Sequence, residues 1–172
     1  TVVISTTQNK QICQSQKYIF DKHLPYWVIY RNNFFDQVCS KMKFGVFLVF
    51  RDRQITKKNS SVNLKKNYIS ILKSRNIKDD GSGIIAIPGY DTYIDKKIAE
   101  TLEAFKYVND TSVYLTPNMT YKPRVIENIP GMIVNGSVAV LIPKTKLRLT
   151  EKQMKYFSTD EYRRFYAIAR NY

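Results

Sequence analysis

No apolar run in this chain is longer than seven residues, and the longest, Phe44–Phe50, is rich in β-branched and aromatic side chains. A membrane-spanning helix needs about 20 consecutive apolar residues, so no membrane partner is expected. Runs this short, alternating with stretches in helical rhythm, lead instead to a sheet of short strands covered by helices. The expected fold class is mixed α/β (α+β), with a twisted mixed or antiparallel sheet and several packed helices.

The pattern can be followed along the chain. Thr1–Ser5, Tyr26–Tyr30, Phe44–Phe50, Tyr68–Leu72, Ile84–Ile87, Ser112–Leu115, Met132–Val134 and Val138–Ile142 read as strands. Ile12 through Leu24 keep a helical rhythm that Pro25 ends, and His23 falls on its apolar face. Asn32 or Asn33 caps a helix with Phe34, Phe35, Val38, Cys39 and Met42 on its apolar face. Residues 56–67 have no periodicity and predict a mobile loop, and Asp79–Gly83 predicts a turn.

Ile94, Ile98, Leu102 and Phe105 predict one amphipathic, acidic helix over 91–108, opened by Asp91 or Thr92. Thr150–Gln153 fits a capping box, and Ser158–Glu161 fits another, with Phe157 and Tyr162 as its staple. The closing helix is expected to bury Tyr162, Phe165, Tyr166 and Ala169 and to turn Arg163, Arg164 and Arg170 to water. With 44% hydrophobic and 24% charged residues, the 172 residues suffice for one core, so residues 1–172 are expected to form a single domain. The absence of an initial Met, and a last helix still amphipathic at Tyr172, lead us to expect a domain excised from a longer protein.

Two cysteines, Cys13 and Cys39, are too few for a disulfide framework or a zinc site. With no signal peptide, the expected compartment is the cytoplasm, where the four Asn-x-Ser/Thr matches at Asn59, Asn109, Asn118 and Asn135 are chance. One histidine, His23, and no Gly-rich phosphate loop leave no catalytic constellation to assemble, and no metal set is apparent. Asp95-Lys96-Lys97 matches half of a Mg²⁺-nuclease pattern but lacks an upstream acid, so a nuclease fragment using Asp95 and Lys97 stands as an alternative.

Charge gives the functional direction. The chain has 28 Lys and Arg against 14 Asp and Glu, a formal charge of +14. Residues 41–78 hold eleven of those cations and a single acid, Asp52, whereas residues 79–115 are net acidic. A block so one-sided repels itself unless an anion neutralises it, and nucleic acid is the commonest polyanionic partner of a folded domain.

Arg51-Asp52-Arg53-Gln54 directly follows a strand, which places forked donors suited to guanine edges and phosphate oxygens at a sheet edge. Gln54 and Asn76 carry the paired donor and acceptor that read adenine, and Asp52 either accepts from cytosine or holds the arginines. Lys57, Lys58, Lys65 and Lys66 suit backbone clamping. Arg75 repeats the arginine theme after the next strand. Tyr90, Tyr93 and Tyr121 fall where a ring stacks on a base or a hydroxyl meets a phosphate, and Asn118, Lys122 and Arg124 occupy the loop before another strand. Asn135-Gly136-Ser137 interrupts a strand as a bulge or tight turn. An RNA-binding module, with tyrosines stacking single-stranded bases, is a further alternative.

The order of these pieces resembles a known family. Tyr26–Arg31, Lys43–Val46 and Ile71-Leu72-Lys73-Ser74-Arg75-Asn76-Ile77 are similar to segments of the target recognition domains of N6-adenine DNA methyltransferases and of type I restriction–modification specificity subunits. Asn135–Leu141 resembles a later strand of that module, and Tyr156–Asn171 its closing helix. The resemblance implies sequence-specific recognition of double-stranded DNA, with Arg51, Arg53, Arg75, Asn76 and Arg124 as contacts. It further implies a catalytic methyltransferase domain in the same or a partner chain, using S-adenosylmethionine. The Asn/Asp-Pro-Pro-Tyr motif and the methyl-donor site do not occur in these residues, so no catalytic residue and no cofactor are assigned to them. The expected DNA-binding set is Arg51, Arg53, Gln54, Lys57, Lys58, Arg75, Asn76, Tyr121 and Arg124, with the 91–108 helix facing away from DNA or toward the rest of the parent protein.

Overall fold

A computed structural model describes Leu24, Val28 and residues 32–170. The expected strands at 1–5 and 26–30, the helix at 12–24 with His23, and Cys13 lie outside the described residues, apart from Leu24 and Val28. Described elements run in the order α1 (Asn33–Cys39), β1 (Phe47–Phe50), β2 (Tyr68–Leu72), β3 (Thr92–Asp95), α2 (Lys96–Ala99), β4 (Tyr114–Pro117), β5 (Ile126–Glu127), β6 (Met132–Val134), β7 (Val138–Pro143), α3 (Glu151–Tyr156) and α4 (Asp160–Ala169). Short 3₁₀ turns cover Ser74–Asn76 and Glu103–Tyr107.

The fold is mixed α/β, with two sheets. One is antiparallel throughout, in the order β1-β7-β4-β5, and the other is mixed, in the order β3-β2-β6. In the mixed sheet Ile69 lies opposite Ile94 antiparallel, while Ile71 is in register with Ile133 parallel. Both sheets feed one core, in which Leu72, Ile94 and Ile133 of the mixed sheet meet Leu115, Val138 and Val140 of the antiparallel one. A second cluster joins α1 to α4, where Phe35 and Phe165 stack at 4.8 Å with Val38 and Ala169 beside them. Among the described residues no helix is long and apolar enough to cross a membrane.

Local chemistry explains the ends of several elements. Asn32 caps α1 by accepting from the Phe35 amide at 2.9 Å. Thr150 and Gln153 form the reciprocal box that opens α3. At α4 the cap is Thr159, one residue later than the Ser158 box requires, and Phe157 and Tyr162 still meet edge to face at 4.8 Å. Arg163 does not point to water as expected. It is half-buried, donating to Asp160 at 3.1 Å and to the Asp79 carbonyl at 3.5 Å.

The largest departure concerns residues 91–108. Thr92–Asp95 is not the first turn of a helix but strand β3, paired with Tyr68–Ile71 of β2. The helical spacing of Ile94, Ile98, Leu102 and Phe105 survives only as one turn of α-helix and a separate 3₁₀ turn, with Ile98 exposed. Thr92, Tyr93 and Ile94 are strand-favouring types, and pairing with β2 buries Ile94 completely. The Phe44–Phe50 strand begins only at Phe47, after Gly45 turns the chain at φ +70°. Ser112–Leu115 is displaced to Tyr114–Pro117, and Ile84–Ile87 retains a single bridge, Ile84 to Ile77. The 56–67 loop is tied down, with Ser61 bridging Tyr93 and Asn59 closing a turn on Thr56 and Gln54.

Candidate nucleic-acid interface

The carboxylate of Asp52 decides the shape of the segment after β1. Its Oδ1 accepts from the amides of Gln54 at 2.7 Å and Ile55 at 3.0 Å, turning the chain as an Asx-type turn does. Asp52 is consequently only 2% exposed. The single acid of the 41–78 block is withdrawn from the surface, while Arg51, Arg53, Gln54, Lys57 and Lys58 around it stay exposed.

Three chain segments converge on the Asn135-Gly136-Ser137 turn. Asn135 shapes it by accepting through Oδ1 from the Ser137 amide at 3.0 Å and the Ser137 hydroxyl at 2.6 Å. From the end of β1, Arg51 donates Nε to the Gly136 carbonyl at 3.2 Å. The Ser74 amide, just past β2, donates to the Ser137 hydroxyl at 2.9 Å. The Asn118 amide, after β4, donates to the Ser137 carbonyl at 2.8 Å. A Cβ on Gly136 would lie 2.6 Å from the Asp52 carbonyl oxygen, so only glycine allows this approach. Arg51 and Arg75, 24 positions apart in the chain, thus flank segments anchored to one turn.

Arg75 is exposed, with its guanidinium 4.9 Å from the centre of the Tyr90 ring, and Lys73 also sits over that ring at 3.8 Å. Burial pulls the Lys73 ammonium below its ordinary value, and the nearby Asp91 carboxylate partly opposes this. Tyr121 is 80% exposed.

Two residues expected to touch DNA are committed elsewhere. Asn76 is 4% exposed; its amide donates to the Ile85 carbonyl at 3.0 Å and to Asp91 at 2.6 Å, and its oxygen accepts from the Lys73 amide. It ties the 77–91 excursion to the end of β2 and has no edge left to offer a base. Arg124 is 5% exposed and spends its fork on main-chain carbonyls of Ser74, Ile77 and Lys122. Burial lowers its pKa against the opposing pull of Asp79, although a guanidinium keeps its charge at such a site.

Asp79 pairs with Lys122 and lies 3.7 Å from Arg124, and the hydrogen bond from Lys122 holds its carboxyl below the ordinary range. The neighbouring Asp80 carbonyl accepts from the Ser158 hydroxyl, so this turn braces the 120–124 loop against the start of α4. Asp95, the acid of the nuclease alternative, caps α2 by accepting from the Lys97 amide at 2.8 Å. Among the described residues no group of three His, Cys, Asp or Glu side chains is placed to hold a metal ion.

Sequence reasoning missed the anchoring role of Asn135–Ser137. Its signal was present, since Asn-Gly-Ser inside an apolar strand marks a tight turn, but the partners come from 18 to 85 residues away. No family model matches the chain, and no curated protein matches it.

Proposed function

We propose that this chain is a sequence-reading module for double-stranded DNA, serving an N6-adenine methyltransferase or a restriction–modification enzyme. The observation that carries the proposal is the burial of Asp52 beneath an otherwise acid-free, exposed set of cations. Lys57 and Lys58 contact phosphates and give affinity without sequence information. Arg51, Arg53 and Gln54, together with Arg75, reach base edges, where a bidentate arginine discriminates guanine by about 1–3 kcal/mol. Asn76 and Arg124 hold the loops rather than touch DNA. The target base is flipped and methylated by a catalytic domain in the same or a partner chain, which supplies S-adenosylmethionine.

Fluorescence anisotropy of labelled duplex DNA, with duplex RNA and single strands as competitors, tests the proposal. Duplex DNA should win. Preference for single strands or duplex RNA would instead favour an RNA-binding module.

A further inference from the structure

The 117–122 loop carries a feature that base-edge reading does not use. Met119 and Tyr121 are 73% and 80% exposed at its tip, and Met119 holds a left-handed backbone with φ +52°. A non-glycine residue pays strain for that conformation, which persists only where its surroundings over-determine it. Here they do. The Asn118 amide is bonded to Ser137, and Asn118 Nδ2 to the Gly136 carbonyl at 3.3 Å. The Thr120 hydroxyl accepts from the Lys122 amide at 3.0 Å, and Arg124 grips the Lys122 carbonyl at 2.6 Å from below. Two large apolar side chains are thus presented on a stiff, strained projection.

The setting carries a net positive charge, from exposed Arg75 and buried Arg124 beside the Lys122–Asp79 ion pair. A cleft of about 310 Å³ separates the projection from the 74–79 segment, with Arg75 on its far wall. The same Asn135–Ser137 turn anchors both walls.

We infer that the 117–122 projection is a wedge that enters the base stack of duplex DNA beside the reading loops, with Met119 sliding between adjacent base pairs and the Tyr121 ring covering an exposed base face. Methionine is among the apolar residues that serve as such wedges, and insertion kinks a duplex by about 20–90°. Aromatic rings stack on any unstacked base, so the wedge tolerates sequence while Arg51, Arg53 and Arg75 read it. Lys57 and Lys58 of the proposed interface supply the phosphate attraction that offsets unstacking. This inference rests on the proposed DNA reading.

The test uses a duplex selected by the full chain from a random pool, carrying 2-aminopurine at successive positions and a donor–acceptor dye pair at its ends. Bound wild-type chain should raise 2-aminopurine fluorescence at one step and shorten the end-to-end distance. The double substitution M119A/Y121A should bind more weakly and, at saturating protein, lose both signals, while M119L should keep them, with an unchanged thermal melt of each protein as the folding control. Binding without unstacking at any position, or unstacking that survives the double substitution, would overturn the wedge and leave DNA reading intact. Failure of the wild-type chain to bind any duplex would overturn both.

Discussion

Gly136 lies against Asp52 so closely that an added Cβ would stand 2.6 Å from the Asp52 carbonyl oxygen. The clash is with main chain, which cannot swing aside as a side chain can. Gly136→Ala should therefore destabilise the protein by about 1–3 kcal/mol, the usual cost of overpacking. Urea unfolding monitored by circular dichroism measures it. Because Arg51 and the Asn118 amide group both reach this turn, the same variant should also weaken DNA binding at temperatures where it remains folded.

Asn76 and Arg75 are adjacent, and their substitutions should separate stability from binding. Asn76→Ala leaves the Ile85 carbonyl and the Asp91 carboxylate short of a donor, at a cost of about 1–3 kcal/mol. Arg75→Ala loses a cation–π contact worth about 0.5–1 kcal/mol at an exposed site, yet should cost more in DNA affinity than Asn76→Ala does. Equal losses of affinity at matched folded fractions would return Asn76 to the interface.

Charge reversal maps the face directly. Arg51→Glu with Arg53→Glu should abolish duplex binding, whereas Lys152→Glu with Lys155→Glu on α3 should only weaken it; equal effects would misplace the reading edge. Neutralisation of phosphates by Lys57 and Lys58 predicts a log–log salt slope of about −2 for a duplex. A flat salt titration would remove nucleic acid as the partner.

Asp79 gives the pH dependence. Its folded-state pKa is depressed, chiefly by the hydrogen bond from Lys122. Its stabilising contribution is therefore complete above the unfolded carboxylate value near 4 and is lost as pH falls through the lower folded value. Acid-titration melts should show a steeper loss of stability below pH ~4 for wild type than for Asp79→Asn. Because the pair is more than half exposed, added salt should shrink the difference.

Much of the fold was legible in the residues. Tyr68–Leu72 and Met132–Val134 match the observed strands end to end, and Asn32 and Thr150 cap where their side chains predict. The caps depend on neighbours within four residues, and both strands are short apolar runs rich in β-branched side chains, a signal carried by the residues themselves. Residues 91–108 misled because Ile94, Ile98, Leu102 and Phe105 satisfy a helical period, while the pairing that pulls Thr92–Asp95 into a sheet comes from β2, more than 20 positions earlier. Arg124 was equally opaque. An arginine in a loop reads as a surface cation, and two of the three carbonyls that absorb its donors, those of Ile77 and Ser74, lie 47 and 50 residues away. The exposed cations Arg51, Arg53, Lys57, Lys58 and Arg75 were legible, because a one-signed block has few other places to go.

The Asn135–Ser137 turn holds two of its neighbouring segments by gripping their main-chain amides at Ser74 and Asn118. A fastening of that kind is blind to what the held segments display. Arg53, Gln54 and Arg75 make none of its bonds, so their identities can be exchanged with little disturbance to the scaffold beneath. The molecule is thus organised like a typeface with a fixed frame and replaceable characters, and libraries randomised at those three positions are the natural way to ask whether the proposed reading can be redirected.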